Sequence, residues 1–153
     1  MKTYIISDTH FNHYNIIKYC DRPFKTVEEM NQTIINNWNE IVKPDDIVWH
    51  LGDIGLGSKD KVAPLVKRLN GRKRLIKGNH DNLADSTYRE MGFEYVSKYP
   101  IVLGNYILSH HPLVPAPPYI NLYGHVHDKT VDTEYSKCVC VEVTDYKPIE
   151  LKI

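Results

Sequence analysis

The sequence has few cysteines, no long apolar run and no excess of charge of either sign. It contains three cysteines in 153 residues, two of them in Cys138-Val139-Cys140. Because three thiols cannot form a paired disulfide framework, and a thiolate metal site would need more of them, we expect reduced cysteines packed in a strand of a cytoplasmic protein. No apolar segment has the length of a membrane span or a signal peptide, so we expect no membrane partner.

The charges balance, with 19 lysines and arginines against 19 aspartates and glutamates. This balance gives no strong nucleic-acid signal, because binding to long nucleic acids depends on many contacts between cationic side chains and phosphates. An apolar content of 42% and the absence of any linker or repeat favour one domain spanning residues 1–153. The oligomeric state stays open.

Short apolar runs alternate with helix-like patterns, which is compatible with an α/β fold but does not select one. The strand-like runs are residues 4–6, 47–49, 72–77, 106–108 and 120–123. Further strands are expected from residue 93 onward, in a hairpin that turns at 104–105, and in an antiparallel pair formed by 137–143 and 149–153.

Helices are predicted where apolar residues recur at spacings of three and four. The clearest covers residues 27–41, with Thr26 and Glu29 as a capping box. A second is expected from Ser58 to about residue 70, although Pro64 lies inside it. Two shorter ones are expected at residues 85–91, ended by Gly92, and after Asn12, which we predict as its cap.

A polar cluster follows each of five strand-like runs. Each cluster alone also fits a plain turn, and glycine with asparagine or aspartate is typical of one. In an α/β fold, however, the carboxyl ends of the strands converge on one crevice, so we expect these side chains to meet. Together they supply two Asp, one Asn and four His ligands, a set that suits two divalent ions sharing a carboxylate. The clusters hold Asp8 and His10, Asp53, Asn79 and His80, His110, and His125 and His127.

This ordered set of motifs resembles the calcineurin-like metallophosphoesterases. The resemblance covers most of the chain and consists of Asp8-x-His10, Gly52-Asp53, Gly78-Asn79-His80-Asp81, His110 and Gly124-His125-x-His127. It implies a four-layer αββα sandwich of two mixed β-sheets, with a binuclear metal site at the strand carboxyl ends. The chain leaves no room for an added cap domain.

The resemblance also implies a role for each motif residue. Asp8, His10 and His127 would hold one metal, Asn79, His110 and His125 the other, and Asp53 would bridge them. His80 would act as the catalytic acid, oriented by Asp81.

Four residues outside the motifs have open roles. His13 and Arg22 are candidate substrate contacts, although His13 equally fits a helix start. We expect His50 to be packed or to support a ligand, and His111 to support His110.

The expected cofactors are two divalent ions per chain. An oxygen- and imidazole-rich set without thiolate favours manganese or iron, with zinc, nickel or cobalt as alternatives. The cations would activate a bridging hydroxide that attacks a phosphoester. We expect a small phosphodiester as substrate, because few cationic side chains flank the motifs to hold a dianionic monoester. The alternatives are a phosphomonoesterase or phosphoprotein phosphatase, a nuclease, or a non-catalytic interaction scaffold, which the presence of His80 and every ligand disfavours.

Overall fold

The computed structural model describes residues 1–153 and contains nine strands and four helices. In chain order the elements are β1 (Thr3–Ile6), α1 (Tyr14–Tyr19), α2 (Val27–Ile41), β2 (Ile47–His50), α3 (Lys59–Lys67), β3 (Arg72–Ile76), α4 (Asp85–Met91), β4 (Phe93–Ser97), β5 (Ile101–Leu103), β6 (Tyr106–Ser109), β7 (Ile120–Tyr123), β8 (Ser136–Cys138) and β9 (Ile149–Glu150).

The strands form two mixed sheets, as predicted. The first has the order β4-β3-β2-β1-β9, in which β1 to β4 are parallel and β9 is antiparallel to β1. The second has the order β5-β6-β7-β8, with an antiparallel β5–β6 hairpin followed by parallel pairs. The predicted turn at residues 104–105 joins β5 to β6, and Gly104 takes the left-handed conformation there, with φ 59°.

Two apolar cores hold the layers together. Along β1 the side chains alternate: Tyr4 and Ile6 join the core formed with the helices, and Ile5 joins the core between the two sheets. The inter-sheet core also contains Leu108 of β6 and Leu122 of β7. Since burying one such side chain is worth about 1.5–3 kcal/mol, this core fixes the second sheet against the first.

Helix α2 contributes the largest apolar face. Its residues Met30, Ile34 and Trp38 are fully buried, as the spacing predicted. Thr26 Oγ1 accepts from Glu29 N at 3.1 Å and caps the first turn. No helix follows α4 along the chain, so loops cover the outer side of the second sheet. In one of these loops the backbone N–H of Leu113 donates to Asn121 Oδ1 of β7.

Three local predictions were wrong. The segments 137–143 and 149–153 do not pair with each other, because β8 extends the second sheet and β9 extends the first. Helix α3 ends at Lys67 rather than near residue 70. Asn12 does not cap α1: His13 occupies that position, and the Asn12 side chain bonds to Lys61 O and Asn31 instead.

None of the helices is long and apolar enough to cross a membrane.

Candidate metal centre

The carboxyl ends of five parallel strands deliver the predicted ligands to one place. Strands β1, β2 and β3 lie side by side, and their following loops carry Asp8 and His10, Asp53, and Asn79. In the second sheet β6 runs into His110, and β7 runs into the loop with His125 and His127. The two sheets meet where His125 N donates to Asp8 Oδ2 at 2.9 Å.

Asp8, His10 and His127 form the first group of ligand atoms. His10 Nε2 lies 3.6 Å from Asp8 Oδ1, and His127 Nε2 lies 3.9 Å from the same oxygen. The Nδ1 atom of His127 faces Glu142 Oε2 at 2.9 Å. A proton on Nδ1 donates to this carboxylate, which leaves Nε2 as the ligand atom.

Asn79, His110 and His125 form the second group. Asn79 Oδ1 lies 2.9 Å from His110 Nε2 and 3.1 Å from His125 Nδ1. His110 Nδ1 faces the carbonyl of Leu51 at 2.7 Å and therefore donates to it. Neutral His110 then presents the lone pair of Nε2 to the centre.

Asp53 stands between the two groups. Its Oδ2 atom lies 3.4 Å from His10 Nε2 and 3.5 Å from His110 Nε2. The Asp53 carboxylate oxygen is thus nearly equidistant from one histidine of each group.

The residues present fit a metal. Asp8 Oδ1 and His10 Nε2 are buried and have no hydrogen-bond partner. Buried polar atoms are otherwise almost always paired, and an orphaned one calls for a ligand or ion. Both atoms point at the same space, and all the donors are oxygens or imidazole nitrogens, which suit divalent cations.

The backbone at the centre is held in a conformation that ordinary residues avoid. Five of the expected ligands have a positive φ, between 51° and 75°: Asp8, His10, Asp53, His125 and His127. Each such residue costs on the order of 1–3 kcal/mol, and such strain clusters at functional sites. The neighbouring Gly78 cannot be replaced by a larger residue, because a Cβ at that position would overlap Asp53 Oδ1.

His80 lies at the edge of the centre rather than among the ligand atoms. Its backbone N donates to Asp53 Oδ1 at 2.9 Å, and its ring is exposed, with the ring centroid 5.6 Å from that of His10. His13 is adjacent: its Nδ1 lies 3.0 Å from His10 Nδ1, so one of these nitrogens donates to the other. Burial, with His10 and His80 nearby, lowers the pKa of His13 to about 4.

Asp81 does not orient the His80 ring as expected. Its buried carboxylate accepts from Asp53 N at 2.7 Å, Ile54 N at 3.0 Å and Gly78 N at 2.7 Å. Asp81 therefore ties the loop after β3 to the loop after β2, and it positions Asp53 through the backbone N–H of that residue and His80 through the Gly78 turn.

Arg22 does not face a substrate either. Its guanidinium is fully buried, donates to Asp8 O and Thr9 O, and pairs with Glu142 Oε2 at 2.8 Å. These contacts fix the backbone of the first metal-ligand loop. Since no guanidinium surface is left for a phosphate, the structure does not support Arg22 as a substrate contact.

Glu142 is a site residue that no motif in the sequence predicts. It follows β8 in an alternating apolar run, and only the fold brings its carboxylate between Arg22 and His127.

The two remaining histidines differ in position: His50 lies behind the ligand loops, whereas a ring nitrogen of His111 lies within 4.8 Å of those of His110 and His125. His50 is fully buried, with Nε2 against Thr9 Oγ1 at 3.0 Å and Nδ1 accepting from Gly52 N. His111 lies beside the centre, its ring centroid 4.3 Å from that of His125.

Comparison with known proteins identifies the family. Residues 1–143 match the sequence model described as Calcineurin-like phosphoesterase. The chain belongs to the calcineurin-like phosphoesterase family.

Relatives of this calcineurin-like chain include an uncharacterized protein of Methanocaldococcus jannaschii. The two are 40% identical over 170 residues, covering 99% of this chain and 88% of the archaeal one. The Gene 66 protein of Mycobacterium phage L5 is also 40% identical, but over 82 residues, covering 52% of this chain and 39% of the phage protein.

Solved structures share the fold. A protein of unknown function from Aquifex aeolicus superposes with a TM-score of 0.79 at 29% identity, covering 97% of this chain and 95% of the other. The Pseudomonas putida nuclease MPE superposes with a TM-score of 0.56 at 24% identity, covering 82% of this chain and 61% of the nuclease. At that identity the nuclease supports the fold alone.

Because the family is metal-dependent, we expect metal binding to release protons from the histidines that act as ligands. Burial opposes charge on His127, but contacts with Cys20 and Glu142 raise its pKa to about 10. Burial likewise opposes ionisation of Asp8, yet His10 and His110 hold its pKa well below the usual range. Asp8 is therefore an anion that attracts cations, and a metal binding at His127 Nε2 would displace the proton from that atom while Nδ1 keeps its proton toward Glu142.

Proposed function

We propose that this calcineurin-like phosphoesterase holds two divalent cations and hydrolyses a small phosphodiester, with His80 as the acid that protonates the leaving group. The observation that carries the proposal is the position of Asp53 Oδ2, 3.4 Å from His10 Nε2 and 3.5 Å from His110 Nε2. This position supports two separate sets of ligands that share one carboxylate.

The ligand roles follow from the two groups of atoms. Asp8, His10 and His127 would hold one cation, and Asn79, His110 and His125 the other. When bound, two such cations lower the pKa of a coordinated water and neutralise phosphate oxygens. Manganese or iron suits this donor set best.

His80 fits the role of general acid because its ring is exposed at the edge of the centre and is not consumed as a ligand. A proton from His80 to the departing oxygen avoids the release of an alkoxide. Asp81 contributes indirectly, since it fixes the Gly78 turn from which His80 projects.

The small number of unpaired cationic side chains near the centre supports a phosphodiester substrate over a phosphomonoester. Arg22 is paired with Glu142 and buried, and Lys77 Nζ is bound to Asp85 and to Leu83 O. Lys98 alone lines the cavity beside Asn79 and His110 without an acidic partner. A monoester dianion usually needs more cationic partners than this, whereas two cations can match the single charge of a diester.

The first test is the number of metals. We expect elemental analysis of protein loaded with manganese to give two ions per chain, and fewer in Asp53→Ala because both sets lose the shared oxygen. One ion or none in the wild-type protein would contradict the binuclear proposal.

The second test compares nitrophenyl mono- and diesters on the loaded protein. We expect a higher kcat/KM for the diester. A tenfold preference for the monoester that Lys98→Ala abolishes would replace the diester proposal by a monoesterase with Lys98 as phosphate ligand. Loaded protein without turnover on any phosphoester would favour the non-catalytic scaffold.

A further inference from the structure

His80 also lines a small cavity in which five of the nine lining residues are apolar, and we call it the apolar cavity. The cavity has a volume of about 90 Å³. Its floor consists of Ile54, Val62 and Tyr88, all buried, and Leu56 and Leu83 form its rim. Leu56 is 47% exposed.

The chemistry of the walls selects an uncharged group. No lysine, arginine, aspartate or glutamate lines the cavity, and its polar side chains are those of His80, Asn82 and Tyr88. The Tyr88 hydroxyl already accepts from Leu83 N at 3.4 Å. The cavity bordering Asn79 and His110 differs, because Lys77, Lys98 and His111 line it.

We infer that the apolar cavity beside His80 is the leaving-group subsite, and that it selects substrates whose leaving group is a small aliphatic alcohol. The inference rests on the proposed function, because the departing oxygen must lie next to the acid that protonates it. The alkyl chain attached to that oxygen then extends from His80 along Leu56 and Leu83 into the cavity.

The size of the cavity limits the alcohol. A cavity of about 150 Å³ accommodates benzene, so one of about 90 Å³ takes a chain of about four carbons and excludes a fused aromatic ring. In the reaction, water adds to phosphorus, the bond from phosphorus to the alcohol oxygen breaks, and the proton from His80 goes to that oxygen. Of the two protons of the water, one stays on the phosphorus product and the other restores the proton on His80. The products from a phosphodiester are the free alcohol and a phosphate monoester.

Alkyl esters of methylphosphonate test the inference, because each carries one negative charge and has one leaving group. With the metal-loaded protein we expect kcat/KM for the n-butyl ester to exceed that for the methyl ester at least tenfold. We expect this difference because each additional methylene buried in the cavity should raise kcat/KM about fourfold. The 2-naphthylmethyl ester should be slower than the n-butyl ester.

Variants locate the effect. Leu56→Ala should reduce the ratio of kcat/KM for the n-butyl ester to that for the methyl ester about threefold or more, and Leu83→Ala should act in the same direction. Val102→Ala is the matched control, because Val102 is 61% exposed on β5, outside the cavity. A ratio unchanged by Leu56→Ala and Leu83→Ala would overturn the assignment of this cavity.

A binding measurement separates failure of the inference from failure of the proposed function. In zinc-loaded protein, 1-butanol should shift the methyl NMR signals of Leu56, Val62 and Leu83 but not those of Val102. Equal rates for butyl and methyl esters without these shifts would overturn the inference and leave the phosphoesterase proposal intact. No alcohol release from any ester would contradict the phosphoesterase proposal, and the NMR shifts would then decide the cavity on their own.

Discussion

At the scale of single residues, the exposed ring of His80 separates proton transfer from metal binding. We predict that His80→Ala keeps its metals and loses about 10²–10⁴-fold in kcat on esters with alkoxide leaving groups. Nitrophenyl esters should lose little, because nitrophenolate leaves without a proton. Equal losses on both substrate types would remove His80 from the acid role, and loss of metal would make it a ligand.

Glu142 acts at the same scale through His127. Its carboxylate holds His127 Nδ1 at 2.9 Å and pairs with buried Arg22. We predict that Glu142→Ala weakens metal binding about 10–100-fold, measured by competition with a chelator. Glu142→Gln should retain part of the affinity, since its amide oxygen can still accept from Nδ1. Glu134→Ala, at an exposed position, is the control, and an unchanged affinity in Glu142→Ala would show that His127 needs no such support.

His50 should make folding sensitive to acid. Burial lowers its pKa to about 3, against 6.5 in an unfolded chain, so between these values the unfolded state binds the extra proton. Stability from this group is complete above pH 6.5 and falls as the pH drops toward 3. We predict that protonation of His50 in the unfolded state lowers the free energy of unfolding by about 1.4 kcal/mol when the pH falls from 7.5 to 5.5.

Urea titrations at the two pH values measure this difference. The wild type should lose about 1.4 kcal/mol more than His50→Asn on moving from pH 7.5 to 5.5. Equal losses in the two proteins would show that His50 does not titrate in this way.

At the scale of the elements, Asp81 connects the ends of β2 and β3. Asp81→Ala leaves three backbone N–H groups without their acceptor, those of Asp53, Ile54 and Gly78. We predict a loss of about 3 kcal/mol in unfolding free energy, because each buried unpaired donor costs about 1–3 kcal/mol and the loop relaxes in part. The measurement is urea unfolding of the metal-free protein.

Kinetics distinguish this role from the one that the motif suggested. If Asp81 positions the loop, Asp81→Ala should reduce turnover of alkyl and nitrophenyl esters by similar factors. A loss confined to alkyl esters would instead show that Asp81 acts on the proton of His80.

At the scale of the whole molecule, the candidate metal centre joins the two sheets. Asp8 and Asp53 follow strands of the first sheet, and His110 and His125 follow strands of the second. Metals bound there would cross-link the layers, and a ligand at 1,000 times its Kd adds about 4 kcal/mol. For a chain of 153 residues we predict that loading raises Tm by about 10 °C, measured by calorimetry with and without chelator. The rise should largely disappear in Asp53→Ala, and a Tm indifferent to metal would contradict a centre built from both sheets.

The sequence by itself determined the elements and the chemistry of the strand ends. The spacing of Met30, Ile34 and Trp38 predicted α2, Gly92 predicted the end of α4, and apolar runs predicted five strands followed by polar clusters. These features are local, since a periodic stripe, a cap or a turn depends on neighbours along the chain. The α/β fold of two mixed sheets, which the family resemblance implied, was confirmed.

Only the tertiary structure decided what each side chain touches. The partners of β8 and β9, the three N–H groups on Asp81, and the burial of Arg22 against Glu142 are contacts between distant parts of the chain. Arg22 and Glu142 are 120 residues apart, and nothing in the local pattern of either one encodes the other. Such contacts arise when apolar faces pack and set the layers in register, so the polar groups beside them pair as the packing dictates.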